Sequence, residues 1–500
     1  MGNQGSCTLE NIIMTQFKES YNGYYLQFLP SHVWTNPMHW VQQYDLNVVK
    51  NQLFENFLLR QVQPPVHEYI EGPYSLRVLK GKDALNNVKQ FYIFGEAHES
   101  LLVSQGACKQ WNAPHEKTTP FSEFLKTLAT TTPQFLDIYL EMPPFLNNTL
   151  LLGKAYYTAV IPCLLRLFTE SKSKSKMQRA FQAPHKLCSQ SMLEAAPIAA
   201  TTNNEVLLDV ALQFSNCVDI SHQLLSDPTC LLSRFHLIDI RFQSNHHLAQ
   251  DNSDAVLSLT FIWRVLLCFA TPQHQNTGYD SVLLLDDVLH YKPVTMSTTR
   301  FVHSFVKSML ESFPFFMAIV EQENNDSDGV YMLEQVEKHS PLLSKELRSV
   351  APVLRKHILD FVGHTITGVS AFHLWHTFLE CEHNYSKLLQ VIQDLSEVLF
   401  QLKARVLDCY CLSQVFRKFT ATHEQPMQPV LPSTYIIYAG NYHSTIYYDF
   451  LLHIQKVGEF ELTQPPYVTV NSVEQGGAPR FGETSGVSTP CVHLPLEHQV

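Results

Sequence analysis

The sequence lacks the motifs of several large enzyme classes. It contains no Walker P-loop, no G-x-G-x-x-G and no G-x-S-x-G, so an NTPase, a Rossmann dehydrogenase and a serine hydrolase have no sequence support. Charge is also sparse, because 16% of the residues are charged and the formal net charge is -11. A chain with this acidic balance has no broad basic face, so we expect no nucleic-acid partner.

The 11 cysteines contain no C-x-x-C pair, the spacing typical of structural zinc sites and dithiol redox centres. We interpret them as reduced thiols of a cytoplasmic protein. Long uncharged apolar runs are absent too, because Lys154 and Arg166 interrupt residues 150–168, and Arg264 interrupts residues 255–271. Both windows are predicted to be buried core helices. We expect no signal peptide.

The first seven residues match the consensus for N-terminal acylation, with Gly2 as the predicted myristoylation site after removal of Met1. One myristoyl chain, at about 0.8 kcal/mol per buried methylene, binds membranes marginally and needs a second signal. Lys18 is the only basic residue before Lys50, so Cys7 is the predicted second acylation site. The expected partner is a membrane. The alternative is a chance match in a disordered N-terminus.

Each of four strand-like runs either carries ionisable side chains or directly precedes them. They are Phe91–Phe94 before Glu96 and His98, Phe135–Leu140 before Glu141, Phe235–Phe242 with Asp239 and Arg241, and Tyr435–Ala439 before His443. Two of them continue into G-x-x-H, at residues 95–98 and 440–443. Ligands of open α/β sheets bind outside the carboxyl ends of the strands, so we expect these side chains to line one edge of a sheet.

These residue types suit hydrolysis in two ways. His98, His443 and Glu141 can bind a divalent metal, zinc, manganese or cobalt, with an open position for water. Alternatively, one histidine oriented by a carboxylate deprotonates water, and Arg241 stabilises an oxyanion. A third interpretation is structural, with histidines that cap buried strands and an ion pair between Asp239 and Arg241.

The paired G-x-x-H motifs, the strand that ends at Glu141 and the segment with Arg241 resemble the erythromycin-esterase, Tiki and TraB superfamily. The resemblance implies a mixed sheet wrapped by helices, and hydrolysis by a metal-dependent protease or a histidine-base esterase. By similarity, His98 and His443 take the places of the motif histidines, Glu141 that of the acidic partner and Arg241 that of the motif arginine. Tiki and TraB members usually carry threonine at the place of Glu96. The composition and the N-terminus also resemble myristoylated proteins of large DNA viruses.

The predicted fold is mixed α/β, with a central sheet wrapped by helices. We expect an acylated segment and helix over residues 1–71, an α/β core over 72–465 and a disordered tail over 466–500, which is rich in Gly, Pro, Ser and Thr. Large helical insertions are expected at about 145–233 and 288–425. The basic run Lys172–Lys176 is interpreted as a solvated loop.

The sequence therefore predicts a hydrolase of peptides or esters, tethered to the cytoplasmic side of a membrane, or to a virion membrane if the chain is viral. One alternative is a non-enzymatic membrane- or virion-associated protein that keeps a degenerate hydrolase fold. Another is a metal-binding scaffold without turnover.

Overall fold

The chain forms two compact units. The computed structural model describes residues 68–84, 86–96, 117–131, 136–142, 154–182, 206–207, 209–210, 233–242, 254–270, 297–322, 329–367, 370–417, 434–470 and 491–494. The first unit comprises Met1–Glu141, Thr202–Leu237 and Lys418–Val500, and the second comprises Met142–Thr201 and Ile238–Arg417. The predicted α/β class with large helical segments is confirmed.

The first unit contains the strands of the described chain. They are β1 (Glu68–Glu71), β2 (Ser75–Asp83), β3 (Val88–Glu96), β4 (Lys117–Pro120), β5 (Leu136–Leu140), β6 (Ser233–Leu237), β7 (Thr434–Gly440), β8 (Phe460–Leu462), β9 (Tyr467–Val470) and β10 (Cys491–Leu494), with helices α1 (Phe121–Thr131) and α12 (Asn441–Lys456).

Seven strands form one mixed sheet in the order β6-β5-β7-β3-β2-β8, and β9 also pairs with β2. The strands β6, β5, β7 and β3 run parallel to one another, whereas β2 is antiparallel to β3, β8 and β9. In a smaller sheet, β1 pairs parallel with β4 and antiparallel with β10. Because β3, β5, β6 and β7 are mutually parallel, their carboxyl ends lie at one edge of the large sheet.

The central strands are built from aromatic and β-branched residues that are buried on both faces. Phe91–Phe94 in β3 and Tyr435–Tyr438 in β7 are at most 2% exposed. Such continuous apolar runs are typical of parallel strands that are covered on both sides. The rings of Phe91 and Tyr435, which are paired in register, stack at 4.7 Å between centroids.

The second unit is helical. Its elements are α2 (Lys154–Glu170), α3 (Lys174–Gln182), a 3-10 turn (Ile240–Phe242), α4 (Ala255–Ala270), α5 (Thr298–Leu310), α6 (Pro314–Val320), α7 (Gly329–His339), α8 (Pro341–Arg348), α9 (Pro352–His364), α10 (Ala371–Glu380) and α11 (Tyr385–Phe416). Proline at the first position begins α6, α8 and α9, and the side chains of Ser340 and Asn384 cap α8 and α11. Both apolar windows contain helices, as predicted. Most side chains of α4 are buried, whereas the described part of α2 buries Val160, Ile161, Leu164 and Leu165 and exposes Arg166. None of the described helices combines the length and apolar character needed to span a membrane.

Three expectations need correction. The strand expected over Phe235–Phe242 ends at Leu237, so Asp239 and Arg241 follow it in an irregular segment and a 3-10 turn. The tail expected to be disordered contributes β9 and β10, because backbone pairing with β2 and β1 orders those residues. Cys163 and Cys491 are each disulfide-bonded, whereas Cys268, Cys381, Cys409 and Cys411 are free thiols. The expectation of fully reduced cysteines is therefore wrong for two positions.

Candidate functional site at the carboxyl edge of the sheet

Strand register brings two of the predicted acidic residues to one edge of the large sheet. Glu96, the last residue of β3, is paired with Gly440 at the end of β7. Leu140 at the end of β5 is paired with Tyr438, and the next residue, Glu141, donates its backbone N–H to the Tyr438 carbonyl at 3.0 Å. The helix α12 begins directly after Gly440, so its first turn begins at the same edge.

Glu141 connects β5 to the start of α12. Its Oε2 accepts the backbone N–H of Gly440 at 2.7 Å, and its Oε1 lies 3.5 Å from Nε2 of His443. Glu141 is 7% exposed and His443 is 6% exposed. Unpaired backbone N–H groups and the helix dipole favour negative charge at this position. The carboxylate is therefore fixed at the helix start and directed at one imidazole nitrogen.

The distance between Glu141 Oε1 and His443 Nε2 is compatible with two kinds of chemistry. At 3.5 Å it exceeds the roughly 2.7–3.2 Å of an ordinary N–H···O hydrogen bond. It is close to the separation of about 3.4 Å expected for two ligands of one tetrahedral zinc ion with bonds of about 2.1 Å. The pair therefore suits a shared cation as well as a histidine oriented by a carboxylate. The described part of the chain contains no group of three potential metal ligands.

Glu96 is buried at the same edge, with 4% exposure. Burial, followed by the negative charge of Glu96, raises the pKa of Tyr438 well above its usual value. The Tyr438 hydroxyl therefore stays protonated at neutral pH. His98, the histidine of the first G-x-x-H motif, lies two residues beyond Glu96 and outside the described residues.

A buried arginine that the sequence analysis did not single out holds the first turns of α12. Arg77 on β2 donates from Nη1 to Ser75 Oγ at 2.8 Å and to Ser444 Oγ at 3.0 Å, and from Nη2 to Thr445 Oγ1 at 2.9 Å. Arg77 is 7% exposed. We call Arg77, Ser75, Asn441 and Ser444 the polar seat of α12. The polar stretch after Gly440 was the sequence signal that could have indicated it.

Gly95 has no side chain, and the polar seat of α12 occupies the space that a side chain there would fill. A Cβ at this position would lie 2.4 Å from Ser75 Oγ and 2.5 Å from both Asn441 Oδ1 and Ser444 Oγ. Ser75 Oγ donates to Asn441 Oδ1 at 2.6 Å, so these atoms are held in place. The glycine of the first motif therefore permits close approach of the helix that carries the histidine of the second motif.

Asp239 and Arg241 form an ion pair in the second unit. Arg241 donates from Nε to Asp239 Oδ1 at 2.7 Å and from Nη2 to Oδ2 at 3.1 Å, a two-bond arrangement that fixes both groups. The backbone N–H of Asp239 donates to the Met142 carbonyl at 3.0 Å, and Thr260 Oγ1 donates to the Arg241 carbonyl at 3.0 Å. These contacts fit the structural interpretation of the pair.

A second buried polar cluster lies within the large sheet, on β5 and β6. His236 Nε2 is 2.7 Å from Asp137 Oδ1, and the Tyr139 hydroxyl donates to Asp137 Oδ2 at 2.8 Å. The rings of Tyr139 and His236 stack at 4.4 Å. Asp137 is 1% exposed, so we interpret this cluster as structural.

Comparison with protein-family models, curated proteins and solved structures finds no match to this chain. The resemblance to the erythromycin-esterase, Tiki and TraB superfamily therefore stays a prediction.

Proposed function

We propose that the chain is a hydrolase whose reaction centre lies at the carboxyl edge of β3, β5 and β7. The observation that carries the proposal is the placement of Glu141, which contacts the Gly440 N–H and faces His443 Nε2. A buried carboxylate beside an imidazole at a sheet edge is a common arrangement for proton transfer. The order of the motifs in the sequence adds His98 as the second histidine.

In this proposal Glu141 orients the imidazole of His443. When the Nε2 proton faces Glu141, the lone pair of Nδ1 is available to take a proton from water. Glu141 and His443, with His98, are also the residues that would hold a divalent ion, which would supply a water of lowered pKa. Tyr442, whose side chain is 46% exposed, precedes His443 and offers an aromatic surface to a peptide or ester substrate.

The proposal is tested on purified chain by metal analysis and by turnover of peptide and ester libraries. Wild type is compared with His443→Ala, His98→Ala and Glu141→Gln, and with His373→Ala, which removes an exposed histidine of the second unit. We expect turnover that the first three variants lose and the fourth keeps. About one metal per chain, lost in the same three variants, indicates the metal route. Turnover without metal indicates the histidine base, and a His443→Ala variant with full turnover refutes the proposal.

The low exposure of Glu141 and His443 favours one alternative, a structural protein that keeps the fold without turnover. A buried carboxylate–imidazole pair also stabilises a strand end. In that case the His443 and Glu141 variants change the free energy of unfolding, and the wild-type chain turns over no library member.

We further propose that Gly2 is myristoylated and that Cys7 supplies a second acyl chain, which would tether the hydrolase to a cytoplasmic membrane surface. Both residues lie outside the described residues. Gly2→Ala is expected to move the protein from the membrane to the supernatant fraction. An unchanged distribution would refute the anchor without touching the catalytic proposal.

A further inference from the structure

We propose that Lys172, Lys174, Lys176 and Arg179 form a contact surface for anionic phospholipid headgroups, called here the cationic face. The basic run was expected to be a solvated loop. In the structure its last residues belong to the first turn of α3, a helix of nine residues. All four basic side chains are exposed.

One side of α3 is fixed in the core of the second unit. Met177, Ala180 and Phe181 are buried, and the Phe181 ring packs edge-on against Phe305 at 5.3 Å. Gln182 Nε2 donates to the Ser312 carbonyl at 2.7 Å. Because these residues are anchored, the N-terminal end of α3 is held in place. Lys174 and Lys176 extend from the two flanks of the buried stripe, and Lys172 precedes the first turn.

The three lysines have no acidic partner within the described residues. The nearby carboxylate of Glu170 is paired with Arg166 at 2.8 Å, and Arg179 donates to the backbone carbonyl of Ser175 at 3.3 Å. Positive charge at a helix N-terminus is also opposed by the helix dipole. Among the described residues the cluster therefore carries uncompensated positive charge, although the chain as a whole has a net charge of -11. An external anion would neutralise it.

A bilayer fits this surface better than a nucleic acid does. The cations are few and exposed, and the overall negative charge disfavours a long polyanion. Each lysine near the surface of an anionic bilayer strengthens membrane binding about fivefold. The inference rests on the proposed acylation in one respect, because a single acyl chain binds marginally and needs a second signal. The cationic face would supply such a signal in addition to the acyl chain proposed at Cys7.

The experiment measures sedimentation of the full chain with vesicles of phosphatidylcholine alone or with about 30% phosphatidylserine. Chains are made with and without myristoylation. The test variant is Lys172→Glu/Lys174→Glu/Lys176→Glu. The control variant is Lys338→Glu/Lys345→Glu/Lys356→Glu, which changes the net charge equally at exposed lysines on α7, α8 and α9.

We expect both forms of the wild type to prefer phosphatidylserine vesicles and to dissociate in high salt. The test variant should lose at least about 100-fold in binding, from three lysines at about fivefold each, and the control variant should bind like wild type. Equal binding of the test variant and wild type overturns the proposal. So does complete displacement by inorganic phosphate at matched ionic strength, which would assign the face to a soluble phosphate. If only the acylation proposal fails, the chains made with and without myristoylation bind equally, and both still prefer phosphatidylserine vesicles.

Discussion

The backbone N–H of Gly440 donates to Glu141 Oε2 at 2.7 Å, and this bond joins the end of β7 to the residue that follows β5. The other carboxylate oxygen faces His443 at 3.5 Å. One side chain thus has a structural contact and a contact that suits catalysis. Variants that keep the first while altering the second can separate the two roles.

Glu141→Gln and Glu141→Ala form such a pair. Glutamine retains an acceptor for the Gly440 N–H but carries no charge, so we expect stability within about 1 kcal/mol of wild type and loss of turnover. Alanine leaves a buried N–H without its acceptor and should cost about 1–3 kcal/mol. Urea unfolding and turnover are measured on both. If the two variants prove equally stable, the Gly440 bond contributes nothing and the structural role is wrong.

Gly95→Ala tests the close approach of α12 to β3. The added methyl would meet Ser75 Oγ, Asn441 Oδ1 and Ser444 Oγ at 2.4–2.5 Å, so we expect a loss of about 1–3 kcal/mol in unfolding free energy. Gly95→Ala combined with Ser444→Ala removes one of the clashing atoms, and its loss should be smaller than the sum of the two single losses. Strict additivity in urea unfolding would contradict the proposed contact.

Arg77→Lys tests the polar seat of α12. Lysine keeps the charge but cannot reproduce the hydrogen bonds from two guanidinium nitrogens to Ser75, Ser444 and Thr445. We expect a loss of about 1–3 kcal/mol, measured by urea unfolding. Lys82→Arg, a change on the same strand at a half-buried position, serves as the control and should leave stability unchanged. Wild-type stability in Arg77→Lys would show that the charge alone holds the helix.

The sequence predicted the parts of the site that local pattern determines. Apolar runs ending at Gly95 and Gly440 identified β3 and β7, and parallel pairing then brings Glu96 and Gly440 into register. The polar seat was not predicted, because the role of Arg77 depends on contacts with residues 367 and 368 positions away. Propensity and periodicity contain no information at that range.

Other differences have similar causes. The run Phe235–Phe242 alternates apolar residues with Asp239 and Arg241 to its end, so no local signal marks the exit from the sheet after Leu237. β10 was missed because its order comes from pairing with β1, far away in the sequence. Disulfide partners are equally hidden, since spacing alone does not show which cysteines the fold brings together.

The oxidation state of the cysteines tests the expectation of a reducing, cytoplasmic compartment. Alkylation of the unfolded chain without reductant should label Cys268, Cys381, Cys409 and Cys411 but not Cys163 and Cys491. Peptide mass spectrometry measures the labelling, and a sample reduced beforehand is the control, in which all six positions are labelled. Protection of Cys163 and Cys491 is typical of an oxidising compartment. If both are labelled without reductant, the disulfide bonds are absent and the cytoplasmic expectation gains support.

The burial of Asp254 predicts that the stability of the second unit depends on pH. The residue precedes α4, where its Oδ1 accepts the Val256 N–H at 2.8 Å, and burial raises the pKa of its carboxyl despite that bond. The folded state therefore binds more protons than the unfolded state between the ordinary pKa of about 3.9 and the raised value. Its contribution to stability is full below the ordinary pKa and is lost as pH rises through the raised value.

Asp254→Asn keeps the acceptor for Val256 and cannot ionise, so the variant avoids that loss. The free energy of unfolding of Asp254→Asn relative to wild type should therefore become more favourable between pH 4 and pH 7. Urea unfolding at both values measures the change. Glu334→Gln, at an exposed position on α7, is the control and should follow the wild-type dependence. If the difference between Asp254→Asn and wild type is constant or moves in the opposite direction, Asp254 is ionised in the fold without penalty, and burial does not dominate its environment.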